Sequence, residues 1–297
     1  MNQHKNCPIC QSNHFVEYLT VNDYFLTNEE FHLQKCVSCG FIVTNPFPTS
    51  DEIGRYYQSE QYYSHPDKKN SLMSRIYNFI KSLNIDYKYK VATSGLIAGT
   101  ILDIGCGSGD FLLKAKNNDW KIRGIEPDDR AARFSESSLG INIIHPKQIV
   151  ELENTQFDVI TLWHVLEHVE DINEQARQLK RLLKTNGRLV IALPNINSFD
   201  AQYYGKKWAG LDVPRHLYHF SFQNIRQLME NHGFKFLKRE PLLFDAYYIS
   251  LLSQRYRSRF LYPVLAVLLG FISNLKAKKS REYSSNIYIF YLPEIVK

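Results

Sequence analysis

Four cysteines near the amino terminus have the spacing of a metal site. Cys7 and Cys10 form one C-x-x-C pair, and Cys36 and Cys39 form a second, with 25 residues between the pairs. A C-x-x-C turn directs two thiolates to one point, and two such turns complete the tetrahedral shell that Zn²⁺ prefers. Four thiolates leave no open coordination position, so the pattern predicts a structural zinc. The alternative is four reduced thiols without a ligand.

A glycine-rich stretch, "ILDIGCGSGDF", directly follows an apolar run. Gly105, Gly107 and Gly109 alternate after Asp103, and Glu126 ends the next apolar run. Glycines allow a ligand to approach the backbone closely, and free N–H groups at a helix start favour a carboxylate or phosphate. A carboxylate at the end of the second strand can accept hydrogen bonds from two ribose hydroxyls. We therefore predict a nucleoside-containing ligand here; the alternative is a tight structural turn.

The segment "WHVLEHV" places His164, Glu167 and His168 in the order H-x-x-E-H. Two imidazoles and a carboxylate could hold a catalytic zinc if all three lay on one helix. The segment instead follows the apolar run "FDVITL", at the carboxyl end of a strand, where ligands bind in open α/β sheets. This context favours acceptor binding or general-base catalysis. The alternative is that Glu167 and His168 only brace a loop by hydrogen bonds.

A second polar cluster, "LDVPRHLYHFS", follows the fifth predicted strand. Arg215 could fork onto a phosphate or carboxylate of an acceptor. His216 could titrate near neutrality and accept a proton from a hydroxyl group. The alternative is that this loop has only a structural role and is held to the sheet by hydrogen bonds.

Strands alternate with helices from residue 100 onwards, which predicts a parallel sheet. The predicted strands are 100–104, 121–126, 141–145, 157–162, 187–194, 234–240 and 286–292, and the predicted helices are 109–118, 128–138, 168–184 and 221–233. Before this region we expect a cysteine-paired unit over 1–48 and a helical connector over 49–95. The last domain covers 96–297 and contains an inserted apolar and basic segment, 241–285.

The composition is that of an ordinary soluble protein, with 44% apolar and 22% charged residues. The net charge of +6 arises from residues 255–281, where cations flank an apolar run on both sides. This run has about 16 residues, fewer than the roughly 20 that a helix needs to span a bilayer. This segment could contact an anionic membrane surface, form a dimer interface, cover a site or pack as an ordinary helix. The amino terminus shows no secretory signal, and paired cysteines fit a reduced cytoplasm.

Four blocks of the sequence together resemble class I S-adenosylmethionine-dependent methyltransferases. They are "ILDIGCGSG", "GIEP", "FDVITLWHVLEHV" and "LLKTNGRLVIALPN", in that family's order and spacing. The cysteine unit, "TNPFPTSDEIGRYY" and "WAGLDVPRHLYHFS" are similar to a bacterial subgroup with a zinc-binding lead-in domain, which serves sugar, polysaccharide or secondary-metabolite pathways. The resemblance implies an α/β, Rossmann-like, seven-stranded sheet with the last strand antiparallel, preceded by a zinc-ribbon-like domain.

The resemblance also assigns roles by position. The glycine loop would contact the methionine part of S-adenosylmethionine, Glu126 the ribose, Pro127 and Gln148 the adenine, and Cys106 would be an inert loop residue. The expected cofactor-binding residues are Asp103, Ile104, Gly105, Cys106, Gly107, Gly109, Glu126, Pro127, Gln148, Leu162, Trp163 and His164. The expected catalytic residues are His164, His168, His216 and Arg215.

The predicted function is methyl transfer to a small-molecule or glycan-type acceptor, at a hydroxyl oxygen, by in-line displacement with a histidine as base. Two alternatives stay open. One is methylation of RNA or protein, although the first 48 residues contain no arginine and form no basic stripe. The other is a regulatory protein that binds the cofactor without catalysis. No specific nucleic-acid partner is expected, and the oligomeric state is not predicted.

Overall fold

The computed structural model describes residues 1–58, 72–258 and 261–294. The strands in this part of the chain are β1 (Phe15–Asn22), β2 (Glu30–Cys36), β3 (Ile42–Thr44), β4 (Thr100–Ile104), β5 (Lys121–Ile125), β6 (Phe157–Trp163), β7 (Leu183–Pro194), β8 (Tyr218–His219), β9 (Lys235–Pro241) and β10 (Ser285–Tyr291). The α-helices are α1 (Ser50–Ile53), α2 (Leu72–Thr93), α3 (Asp110–Lys116), α4 (Asp129–Leu139), α5 (Ile172–Leu182), α6 (Phe199–Tyr204), α7 (Phe222–Asn231), α8 (Asp245–Arg257) and α9 (Tyr262–Ser280).

The larger sheet has the strand order β5-β4-β6-β7-β10-β9. Strands β4 to β7 are parallel, whereas β10 runs antiparallel to both β7 and β9. The parallel strands are apolar on both faces because helices cover both sides, as in β6, where five of the seven residues are buried. The prediction of an α/β sheet with an antiparallel last strand is confirmed.

The prediction of seven strands is wrong for the described residues, which form six strands in this sheet. Residues 141–145 make a single parallel bridge, from Ile144 to Ile125. The segment is short because α4 ends at Gly140 in the left-handed region and a 3₁₀ turn begins at Pro146. Ile144 makes both hydrogen bonds of this bridge: its N–H donates to the carbonyl oxygen of Gly124, and its carbonyl oxygen accepts from the N–H of Glu126. Too little backbone is left for a ladder.

Helix boundaries follow capping side chains. Asp171 accepts from the N–H groups of Asn173 and Glu174, so α5 begins at Ile172 rather than at the predicted residue 168. Residues 166–168 instead form a 3₁₀ turn. Within the predicted connector, 49–95, the described residues form α1, a 3₁₀ turn (Gly54–Tyr56) and α2. Residues 59–71 lie outside the described part of the chain.

The amino-terminal sheet has the order β1-β2-β3-β8, so its last strand comes from far along the chain. Ile42 and Val43 pair with His219 and Tyr218. The hydroxyl of Thr44 also donates to the carbonyl oxygen of His216, at 2.7 Å. The sheet of the cysteine unit is therefore completed by a strand from the polar cluster "LDVPRHLYHFS".

Arg215 joins these two parts of the molecule. It is 2% exposed, and its guanidinium donates to the carboxylates of Asp23 and Asp212 and to the carbonyl oxygen of Tyr56, at 2.8–3.0 Å. The expectation that Arg215 forks onto an acceptor phosphate does not fit this geometry, because its guanidinium is buried and already engaged by the protein. Its role here is structural.

The inserted segment forms the helix pair α8 and α9. A Cβ at Gly270 would lie 2.9 Å from the Cα of Tyr247, so only glycine permits this close approach. The buried carboxylate of Asp200, in α6, accepts from Ser273, Ser284 and Trp208, which ties α9 to α6 and to the residue that precedes β10.

The outer face of α9 exposes large apolar side chains, namely Val264, Val267, Leu268, Phe271 and Leu275. In the described part of the chain, none of the helices has the length and apolarity to cross a membrane. Contact of this face with an anionic membrane surface stays a prediction.

Replacing Arg215 with alanine is expected to lower the free energy of unfolding by about 3 kcal/mol, because Asp23 and Asp212 would lose a buried cationic partner. Urea denaturation followed by circular dichroism would measure the loss. The matched control is Arg177→Ala, which removes an exposed ion pair to Glu174 and is expected to cost less than about 0.5 kcal/mol. Equal effects of the two substitutions would contradict the structural role of Arg215.

Candidate active site

The glycine loop joins β4 to α3 at the carboxyl edge of the sheet. The N–H groups of Gly105 and Cys106 donate to the carbonyl oxygen of Ile125, which fixes the loop against β5. Glu126 follows β5, and its carboxylate accepts from the N–H of Gly107 at 2.8 Å and from the N–H of Asp128 at 3.0 Å. Burial raises the pKa of Glu126, although these two N–H groups oppose the rise. The acid and the loop are thus in direct contact; the binding of ribose by Glu126 stays a prediction.

The three loop glycines have positive φ, but they serve different purposes. A Cβ at Gly105 would collide with the side chain of Val165, and one at Gly109 would lie 2.9 Å from Leu139. Gly107 has φ +52 and has nothing within 4 Å of a Cβ, so it faces open space. Gly105 and Gly109 therefore allow tight packing, whereas Gly107 leaves room for a ligand.

Trp163, at the end of β6, has a buried indole N–H with no hydrogen-bond partner among the described residues. Its ring packs 5.3 Å from that of Phe111, and the ammonium of Lys88 lies 4.9 Å from it. A buried donor without a partner is rare in proteins, so this N–H is available to a ligand at the edge of the sheet. The open space at Gly107 and the unpartnered donor of Trp163 both fit a bound cofactor.

The remaining predicted cofactor residues divide into buried and exposed ones. Asp103 is buried and accepts from the Thr161 hydroxyl, and burial raises its pKa to about 7. Burial also raises the pKa of the Cys106 thiol, which fits an inert residue. The side chains of Ile104 and Leu162 lie in the core; Pro127 and Gln148 are exposed, and the Gln148 amide oxygen accepts from the backbone of His145.

His164 lies at the exit of β6 with a left-handed backbone, φ +57, which is uncommon outside glycine and costs energy. Its Nε2 is 2.8 Å from Oδ2 of Asp245, and its Nδ1 is 3.5 Å from Oε1 of Glu167. Burial disfavours the charged ring, but the two carboxylates outweigh it and raise the pKa of His164 to about 9. Asp245 was not predicted; it belongs to α8 in the inserted segment, and no local pattern marks it.

Glu167, His168 and His216 come together although they belong to two separate sequence motifs. Their ligand atoms all lie within 4.8 Å of one another, and the two imidazole rings are 4.6 Å apart and nearly perpendicular. The N–H of Leu217 donates to the carbonyl oxygen of Glu167, which joins the two loops.

The tautomers of these two histidines follow from their backbone contacts. Nδ1 of His168 is 3.0 Å from the carbonyl oxygen of Arg215, and Nδ1 of His216 is 2.9 Å from that of Gly210. A carbonyl oxygen only accepts, so each Nδ1 carries the proton and each Nε2 presents a lone pair. The Tyr57 hydroxyl, 3.1 Å from Nδ1 of His168, is then a second acceptor of that ring's N–H. Burial, assisted by the neighbouring His216, lowers the pKa of His168 to about 4.

The four paired cysteines also converge. Their sulfur atoms lie within 4.8 Å of one another, with Cys7 to Cys39 and Cys10 to Cys36 both at 3.5 Å. Tetrahedral Zn–S bonds of about 2.3 Å place sulfur atoms nearly 4 Å apart, so the cluster could hold this ion with little adjustment.

A family model described as "Methyltransferase domain" matches residues 74–239. Among curated proteins, the ubiquinone biosynthesis O-methyltransferase of Pseudomonas paraeruginosa is 31% identical over 111 residues, which are 35% of this chain and 48% of that protein. The corresponding enzyme of Actinobacillus pleuropneumoniae is 33% identical over 133 residues, 40% of this chain and 55% of that protein. The chain thus spans about half the length of the curated relatives it matches.

Two solved structures share the fold at low sequence identity. Phosphoethanolamine N-methyltransferase 2 of Haemonchus contortus, in complex with phosphomonomethylethanolamine and S-adenosylhomocysteine, has a TM-score of 0.55 and 16% identity, covering 94% of this chain and 68% of that one. A structure from Galdieria sulphuraria, described as "a putative sarcosine dimethylglycine methyltransferase", has a TM-score of 0.53 and 13% identity, covering 77% of this chain and 91% of that one. At such identities the likeness shows the fold alone.

Proposed function

Because the chain belongs to the methyltransferase domain family, we propose that it transfers a methyl group from S-adenosylmethionine to a hydroxyl oxygen of a small-molecule or glycan-type acceptor. The observation that carries the proposal is the packing of Val165 against Gly105. This contact places the turn that bears His164, Glu167 and His168 directly on the glycine loop. Cofactor and acceptor groups would therefore meet at one edge of the sheet.

The residues around the loop supply what the cofactor needs. Glu126 would accept hydrogen bonds from two ribose hydroxyls, Gly107 allows close approach to the backbone, and the indole N–H of Trp163 is a donor without a partner. When bound, the cofactor supplies a methyl group already activated by its sulfonium. The protein then has to orient the acceptor in line and remove one proton.

The acceptor proton would pass to a histidine with a free ring nitrogen. Both ring nitrogens of His164 face carboxylates, those of Glu167 and Asp245. The Nε2 atoms of His168 and His216 have no hydrogen-bond partner among the described residues and carry lone pairs. We therefore assign the base to His168 or His216, and we assign His164 to holding the turn in place.

The acceptor class is supported by the curated relatives, whose names describe an O-methyltransferase of ubiquinone biosynthesis. A sugar or secondary metabolite agrees with the subgroup that the sequence resembles. Arg215 no longer favours a phosphorylated acceptor, because its guanidinium is buried in ion pairs. Two alternatives remain: methylation of RNA or protein, and cofactor binding without catalysis. A cytoplasmic location is also part of the proposal.

The cysteine cluster would hold a structural zinc. The unit it belongs to is small, so the ion would contribute to its folding. Its four thiolates would leave no position for a substrate. Nothing in this arrangement requires the zinc to take part in methyl transfer.

Gly107→Ala is expected to weaken binding of S-adenosylhomocysteine by about ten-fold or more, because the new methyl group would enter the open space above the loop. Calorimetric titration would measure the dissociation constant. Gly140→Ala is the matched control: Gly140 also has positive φ and nothing near its Cβ, but it ends α4 away from the loop. Both variants are expected to lose about 1 kcal/mol of stability, so equal losses of affinity would contradict the assignment of the loop.

Methyl transfer itself is tested by incubating the protein with methyl-labelled cofactor and separated pools of small molecules, sugar nucleotides, lipids and RNA. Label is expected in a small-molecule or sugar pool. Replacing the base, by His168→Gln or His216→Gln, is expected to lower kcat about 100-fold with cofactor affinity kept.

The control variant for this assay is His232→Gln, whose ring also bonds a backbone carbonyl but lies at the end of α7. It is expected to retain full activity. Label in RNA or protein would favour the first alternative. Binding of cofactor with no transfer to any pool would favour the regulatory one.

Metal analysis of the purified protein is expected to give one tightly held zinc per chain at the cysteines. Cys36→Ser should abolish it, whereas Cys106→Ser, which changes the cysteine of the glycine loop, should retain it. Zinc that survives in Cys36→Ser and Cys39→Ser would exclude the cysteine cluster as the site.

A further inference from the structure

Glu167 has an unusual environment for an acidic residue. Its side chain is 1% exposed, and neither carboxylate oxygen accepts a hydrogen bond from any described residue. The nearest cationic group is the ring of His164, 3.5 Å from Oε1, and that ring is shared with Asp245 at 2.8 Å. Buried carboxylates are normally paired or coordinate metals, because leaving the charge without partners is costly.

The two imidazoles beside this carboxylate are arranged as metal ligands usually are. In each, Nδ1–H donates to a backbone carbonyl oxygen, of Arg215 for His168 and of Gly210 for His216. Such contacts fix the tautomer and the ring orientation and direct the Nε2 lone pair to the metal. The two rings come from different loops, so their convergence on Glu167 is a tertiary feature.

The spacing is compatible with one ion between the three side chains. Their ligand atoms lie within 4.8 Å of one another, and bonds of about 2.1 Å place two ligands of one ion at most about 4.2 Å apart. The three ligand atoms therefore need to move by less than about 1 Å to bind one ion, and ordinary rotations around χ1 and χ2 provide such movements.

We propose that Glu167, His168 and His216 form a binding site for a divalent first-row transition metal ion, separate from the cysteine cluster. Two imidazoles and one carboxylate suit Mn²⁺, Fe²⁺, Co²⁺ or Zn²⁺ better than Mg²⁺ or Ca²⁺, which prefer oxygen ligands alone. Three protein ligands leave coordination positions open, as in catalytic sites.

The open positions suit an oxygen of the methyl acceptor, and this part of the inference rests on the proposed function. A hydroxyl bound to such an ion would have a lowered pKa and would release its proton to solvent water. The ion would then occupy the Nε2 lone pairs of His168 and His216, so neither imidazole would act as the base while the ion is bound. Binding of the ion itself does not depend on methyl transfer.

The ligand set differs from the metal triad that H-x-x-E-H spacing alone suggests. His164 is not a ligand here, because its Nε2 contacts Asp245, and Glu167 is a ligand rather than a base. The third ligand, His216, comes from the loop that follows α6 and precedes β8. Asp212, whose Oδ2 is 4.0 Å from Nε2 of His216, flanks the site, but its carboxylate is paired with the guanidinium of Arg215.

The test is titration of the full chain, with its zinc in place, with Mn²⁺ alone. Mn²⁺ is a poor competitor for a zinc held by four thiolates, so binding reports on the second site. Calorimetry and the loss of the free Mn²⁺ electron paramagnetic resonance signal are expected to show one bound ion per chain. Glu167→Gln and His216→Gln are each expected to weaken this binding at least about ten-fold, and His232→Gln to leave it unchanged.

Circular dichroism, zinc content and S-adenosylhomocysteine affinity establish that each variant is folded. Absence of Mn²⁺, Co²⁺ and Zn²⁺ binding beyond the cysteine zinc in the folded wild-type chain would overturn the proposal. Binding that both Glu167→Gln and His216→Gln leave unaltered would overturn it as well. Methyl transfer by a chain that binds no second ion would remove the metal site and keep the proposed function, whereas metal binding without transfer to any pool would keep the metal site and remove the proposed function.

Discussion

The buried guanidinium of Arg215 is the interaction on which the arrangement of this molecule depends. It bonds Asp23 of the cysteine unit, Asp212 of its own loop and the backbone of Tyr56. Its own carbonyl oxygen accepts from His168. One residue thus holds the amino-terminal sheet, the loop of His216 and the turn after β6 in fixed positions relative to one another. Charged groups so deeply buried are stable only when they are paired in this way.

The site is built from segments that are distant in the chain but meet at the carboxyl edge of the sheet. The glycine loop leaves β4, Glu126 follows β5, and His164 leaves β6 with strained backbone. Parallel strands order these ends side by side, which is why ligands bind at this edge. The loop of His216 and the insertion residue Asp245 then close the site from outside the sheet.

The glycine loop, the acid after β5 and the cysteine pairs were predictable because each depends on residues close in sequence. A G-x-G-x-G loop and a C-x-x-C turn are local structures, and their chemistry follows from their residue types. The strand predicted at 141–145 is only a single bridge, because an apolar run does not show that the helix end at Gly140 and the 3₁₀ turn at Pro146 leave too few residues for a ladder. The sequence suggests that Arg215 binds an acceptor phosphate or carboxylate, because a sequence does not reveal which cationic side chains are buried.

The sequence by itself determined the family, the alternation of strands and helices, and the residue types of the cofactor loop. The reason is that apolar periodicity and local motifs depend only on residues close together in the chain. Only the tertiary structure decided that β8 completes the cysteine sheet and that Asp245 contacts His164. It also decided that Glu167, His168 and His216 share one point in space. The physical reason is that these contacts join residues tens to hundreds of positions apart. Their partners are chosen by packing and charge compensation, which no local pattern encodes.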